Sequence, residues 1–249
     1  MVLVCAATAF GASILLFFTR NRSVSVFKKN IVNPALEHIL EYNLNASKKF
    51  RKTAPLEWLF QNMKIDEDAF YAAILDCILG KVQTTKFAFI NFQLCHGGGG
   101  RHREVFADFR GQAVLAPIRN RQYLPQDYTS DLNLKELTEG VMVQSLKEIF
   151  DTSWGPSAEK NDINSNPYAP SNNLCSQTLT SLIEKLSSKG IECKYYCVSD
   201  MFIFITKTSK TFFEYNDSTA DIEEMKLQTA KEIAWARLLI EELIKTGLI

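Results

Sequence analysis

The chain has 249 residues, 46% of them hydrophobic, and its 28 basic and 28 acidic side chains cancel to a formal net charge of zero. That length and composition support one well-buried core. The charge balance argues against a nucleic-acid binder, which carries a basic excess or stripe. The six cysteines put Cys5 in an apolar terminal run and leave an odd set, Cys77, Cys95, Cys175, Cys193 and Cys197, which does not read as a disulfide framework and suits a reducing compartment.

Met1–Phe18 carries no charged side chain and is apolar except for Thr8, Gly11 and Ser13. As a helix at ~1.5 Å per residue it would reach ~27 Å, the short end of the spanning range. It lacks the basic start and small-residue end of a cleaved signal peptide. Residues 1–18 are therefore expected to form a transmembrane signal-anchor, followed by a basic juxtamembrane linker over 19–33. Arg20, Arg22, Lys28 and Lys29 in that linker place the C-terminal side in the cytosol by the positive-inside rule. A short anchor with this flank fits the mitochondrial outer membrane or the endoplasmic reticulum. The linker's charge suits topology or anionic headgroups better than nucleic acid. Three N-glycosylation patterns, at Asn21, Asn45 and Asn216, would be used only by a luminal domain.

Residues 34–249 are expected to form a soluble α+β domain. Asn33-Pro34 offers an N-cap and an N1 proline, so a helix follows to about Leu44. Asn45–Thr53 reads as a polar interruption, and Leu56–Met63 as a short amphipathic turn. Asp66 caps an expected helix with Phe70, Ala73, Ile74, Cys77 and Ile78 on one face and Gly80 at its end. From Lys86 the texture becomes aromatic and alternating. Strands are expected at Lys86–Cys95, His102–Phe109 and Ala113–Ile118, separated by the glycines after His96 and by Gly111-Gln112.

A helix from Ser130 or Asp131 to Phe150 precedes a long loop, 151–173, which is the natural place to divide the domain into two halves. Ser176–Ser188 forms the next helix, closed by Lys189-Gly190. Strands at Ile191–Val198, Met201–Thr206 and Thr211–Tyr215 follow, with turns at Ser199-Asp200 and Thr208-Ser209. The last helix runs from about Asp221 to Thr246. The whole is a transmembrane helix followed by helices and two three-stranded antiparallel meanders with flanking helices.

Motifs for catalysis are weak. His96 to Gly100 has the glycines of a hydrolase oxyanion loop, but no G-x-S-x-G elbow accompanies it. His102-Arg103-Glu104 has the H-x-E form of zinc deaminases, but the cysteine pair that chemistry needs is missing. Asp108 with Glu192-Cys193-Lys194 makes an arrangement in which carboxylates could hold a metal and a lysine polarise a phosphate. The aromatic strands of the second half read as core more readily than as base-stacking platforms. The expectation is thus a single-pass, cytosol-facing binding protein, an adaptor, tether or assembly factor on an organelle membrane, with no cofactor. Its partners would be the bilayer and a protein docking on the C-terminal helix, 221–246. The alternative is a membrane-tethered metal-dependent hydrolase or nuclease using Asp108, Glu192 and Lys194.

Overall fold

The computed structural model describes residues 22–63, 65–66, 69, 71–97, 105–120, 145–154, 172–198, 200–209, 212–215 and 221–249, with only the backbone of 105–108, 145, 147 and 172–177. Met1–Phe18 and Arg20 lie outside them. Among the described residues, no helix is long and apolar enough to cross a membrane.

Residues 22–27 are helical and continue through a π-helical turn, Lys28–Val32, into α1, Asn33–Leu40. The stretch expected as a linker is thus helical from residue 22, and it is packed rather than solvated. Phe27, Val32, Leu36 and Leu40 are all buried, so apolar side chains at helical spacing hold it against the sheet. Left-handed Glu41 ends α1. α2, Leu44–Thr53, replaces the expected polar interruption, since the Asn43 side chain accepts from Ala46 N and caps it while Ala46 and Phe50 are buried. α3 spans Leu56–Asn62.

Among the described residues the sheet holds five strands in the order β1-β2-β3-β5-β4, every neighbouring pair antiparallel. They are β1 Tyr71–Val82, β2 Thr85–Gly97, β3 Val105–Pro117, β4 Cys193–Val198 and β5 Met201–Lys207. Three expectations are corrected. The helix after Asp66 is instead β1, because a strand covered on both faces is a nearly continuous apolar run and does not reveal its period. Gly111-Gln112 does not divide two strands; β3 runs straight through, and a Cβ on Gly111 would meet the Phe92 ring at 2.8 Å. Phe212–Tyr215 is turn and irregular backbone rather than a sixth strand. The two meanders are therefore one sheet, with β3 paired to β5 across the loop between the halves.

α4, Ser145–Ser153, and α5, Asn172–Ser187, lie between β3 and β4; the expected start of α4 and residues 155–171 fall outside the described residues. Gly190, at φ 74, lets the chain leave α5 with Ile191 N donating to Leu186 O, a left-handed helix end that glycine permits at no steric cost. α6 runs Ile222–Lys245, capped by the Asp221 side chain on Glu223 N.

Helices cover both faces of the sheet. On one, α2, α3 and α4 pack on Phe92, Phe109, Leu115 and Ile203, with Phe60 stacked on Phe92 at 4.2 Å between centroids. On the other, the N-terminal helical run, α5 and α6 pack on Phe87, Phe89, Val114, Phe202 and Phe204.

Candidate functional site: a polar row under the C-terminal helix

The α6-covered face carries one polar cross-section. Asp76 pairs with Asn91, Asn91 with Gln112, Gln112 with Thr206, and Thr206 with Cys193, a single row over all five strands. Side chains alternate across a strand, so the neighbours two residues inward share its face, and they are Ile78, Phe89, Val114, Phe204 and Tyr195. Two residues outward on β2 and β3 stand Gln93 and Arg110, both half-buried. The row thus lies where an apolar interior gives way to a polar edge.

Its middle is closed. Asn91, Gln112 and Thr206 are 2%, 1% and 0% exposed. The Trp235 indole of α6 donates to Gln112 Oε1 at 3.1 Å. Neither Oδ1 nor Nδ2 of Asn91 has a hydrogen-bond partner among the described residues, and the same holds for Gln112 Nε2 and Thr206 Oγ1. A buried polar atom left unpaired costs about 1–3 kcal/mol, and here four adjoin on strands spaced ~4.8 Å apart.

The row's ends are different. Lys28, from the π-helical turn, pairs with Asp76. Burial raises the Asp76 carboxyl above its ordinary value, with Lys28 opposing. At the other end, burial pushes the Cys193 thiol up to about 11, so it is protonated at neutral pH and a poor nucleophile. The middle three groups are uncharged, and the row's two titratable members are paired or inert. Such a set can recognise a ligand by hydrogen bonds but offers no free acid, base or nucleophile.

Near the row, Glu232 of α6 is 8% exposed. Its Oε2 accepts from Phe213 N and its Oε1 from Gln228 Nε2, both at 2.7 Å. That pairing satisfies the buried carboxylate and holds Phe213 at φ 58, fixing the segment that follows β5 against α6.

The residues singled out from sequence lie elsewhere. Glu192 is largely exposed and pairs with Lys207 at 3.3 Å. Lys194 Nζ donates to Ile65 O at 3.2 Å, on the opposite face of the sheet from the row. Asp108 sits at the β3 bulge, between the pairs Leu94–Phe109 and Cys95–Ala107, and its side chain is outside the described residues. Gly111 pairs with Lys207, whose N–H bonds to Glu192 O. Asp108 is three residues further along β3, which puts the backbones of Asp108 and Glu192 roughly 14 Å apart from strand rise and spacing. Among the described residues no group of three His, Cys, Asp or Glu side chains could hold a metal ion. Among the described residues, Cys77, Cys95, Cys193 and Cys197 form no disulfide. Of the topology residues, Arg22 and Lys29 are exposed, whereas Lys28 is taken up by Asp76.

Sequence reasoning passed over Asn91, Gln112 and Thr206. The signal was there: each is the one polar side chain in an apolar stretch, Phe89-Ile90-Asn91-Phe92, Gln112-Ala113-Val114-Leu115 and Ile203-Phe204-Ile205-Thr206. A polar residue inside a run buried on both faces has to be buried with the rest. Comparison with protein-family models, curated proteins and solved structures finds no match for this chain.

Proposed function

We propose that this is a membrane-anchored binding protein whose α+β body faces the cytosol and recognises its ligand without chemically changing it. The observation that carries the binding part is the buried row of neutral, unpaired hydrogen-bonding groups at Asn91, Gln112 and Thr206. Recognition uses groups of this kind, a few polar side chains set in an apolar surround.

The anchor is carried by the sequence of Met1–Phe18, which is long enough to span a thin bilayer. Arg20, Arg22, Lys28 and Lys29 supply the flanking charge that keeps the following chain in the cytosol. Lys28 contributes to that bias during insertion, before its partner Asp76 is synthesised and folded. An adaptor, tether or assembly factor on the mitochondrial outer membrane or the endoplasmic reticulum fits these features. For a protein partner, α6 offers Ile222, Leu227 and Leu238, each at least half exposed on a helix whose other face is buried.

The test is made in cells with full-length protein and with a form lacking residues 1–20. The full chain is expected to stay with membranes through alkaline extraction, to be digested by protease added outside intact organelles, and to show no glycosidase-sensitive mobility shift. Recovery of the full chain in the alkaline supernatant would sink the anchor. Protection from protease, or a glycosidase shift, would reverse its orientation.

A further inference from the structure

We propose that the row Asn91–Gln112–Thr206 is a binding site for a small, uncharged, planar imide or lactam group. The inference rests on the recognition reading above and names the ligand chemistry that the row fits.

The inventory of free atoms sets that chemistry. Asn91 brings one acceptor and one two-proton donor side by side, and neither is used among the described residues. A cis-amide edge, with its N–H beside its C=O, pairs with a side-chain carboxamide through two parallel hydrogen bonds. Trp235 occupies Gln112 Oε1, and an indole can only donate. The Gln112 amide is thereby oriented with its Nε2 free, one strand away from Asn91, as a donor in search of an acceptor. In an imide a second carbonyl flanks the N–H on its other side and supplies that acceptor. Thr206, one strand further, either donates or accepts through its hydroxyl.

Charge narrows the class. Lys28 and Asp76 neutralise each other at one end, and the Cys193 thiol at the other end is protonated. Arg110 stands two residues outward, at the half-buried edge rather than at the middle of the row, so burying an ion in that middle would be costly. An uncharged ring with an acceptor–donor–acceptor edge meets the row without that penalty. Half-buried Gln93 and Arg110, two residues outward on the same face, form the polar side from which it enters. Trp235, itself half-buried, is the side chain whose movement would uncover Gln112.

The probe is uracil, titrated calorimetrically into full-length protein in detergent, with N3-methyluracil as the control that has lost the donor. Uracil is expected to bind saturably, and N3-methyluracil at least ~10-fold more weakly, as for any site that must hydrogen-bond a donor. Asn91→Leu should abolish binding while unfolding cooperatively. If Asn91→Leu does not fold, Thr206→Val, which removes only the hydroxyl, should weaken uracil several-fold. No saturable uracil binding, or equal binding by N3-methyluracil or by a folded Asn91→Leu, overturns the proposal. Native mass spectrometry of the purified full chain then separates the two readings. A retained molecule of different chemistry overturns the imide assignment and leaves recognition standing. A crystal structure with ordered water alone in the row overturns both.

Discussion

Trp235 Nε1 and Gln112 Oε1 meet at 3.1 Å across 123 sequence positions, and this contact ties the C-terminal helix to the centre of the sheet. The helix hides the Gln112 side chain and also turns it. Trp235→Phe keeps most of the apolar contact and removes the donor, leaving Gln112 Oε1 unpaired as well. We expect a loss of about 1–3 kcal/mol in urea unfolding. Trp235→Phe combined with Gln112→Leu should recover part of that loss, since removing both partners of a buried hydrogen bond is nearly neutral. Additive losses in the double-mutant cycle would mean that the contact does not couple helix and sheet.

Replacing Asn91 tests the row without any ligand. A buried carboxamide with no partner is destabilising, and leucine branches at Cγ as asparagine does, so Asn91→Leu should raise stability by up to about 1–2 kcal/mol. A fall in the unfolding midpoint would mean that water already satisfies Asn91.

The Lys28–Asp76 pair gives the fold a pH dependence of definite sign. Burial is the largest influence on Asp76 and raises its carboxyl above the ordinary 3.8, while Lys28 and Arg51 pull it down. The folded state therefore holds this proton more tightly than the unfolded chain does. The resulting stability is fully present below 3.8 and is lost as pH rises through the folded-state value. Asp76→Asn should flatten that part of the profile in urea unfolding between about pH 3 and pH 7. Lys28→Met, by removing the cation that opposes the shift, should extend the decline to higher pH. An unchanged profile in both variants would show that the pair is solvated.

Ser47 joins α2 to β1 through one hydroxyl, which donates to Asn43 O at 2.6 Å and accepts from Leu79 N at 2.8 Å. Ser47→Ala strands a buried amide, so a loss of about 1–3 kcal/mol is expected. Asn43→Ala loses the cap of α2 and should cost about 1 kcal/mol. Thermal unfolding of both variants ranks them, and a larger loss for Asn43→Ala would reverse the assignment.

Two glycines should respond to alanine for different reasons. A Cβ on Gly80 would lie 2.7 Å from Leu40 O and 2.6 Å from Phe87 Cζ. The ring can move more easily than the carbonyl, and overpacking of this kind costs about 1–3 kcal/mol. At Gly190 nothing lies within 4 Å of such a Cβ, but φ is +74, so the cost there is about 1 kcal/mol of backbone strain. The difference should appear as a lower denaturation midpoint for Gly80→Ala.

Sequence by itself determined the α+β class, the start of α1 at Asn33-Pro34, the strands on either side of Ser199-Asp200, the exit from α5 at Gly190 and the long last helix. Each is written in local chemistry: a proline at N1, aromatic and β-branched runs on either side of a turn dipeptide, a glycine that accepts positive φ, and apolar spacings of three and four. Tertiary structure decided that Tyr71–Val82 is a strand, because an apolar run reads alike as buried helix or buried strand until its covers are known. It also decided that β3 passes through Gly111, whose missing side chain leaves room for Phe92. The alignment of Asn91, Gln112 and Thr206 is tertiary in the same sense. Each polar residue is visible alone, but their adjacency depends on the register between β3 and β5, set by contacts about ninety residues apart along the chain.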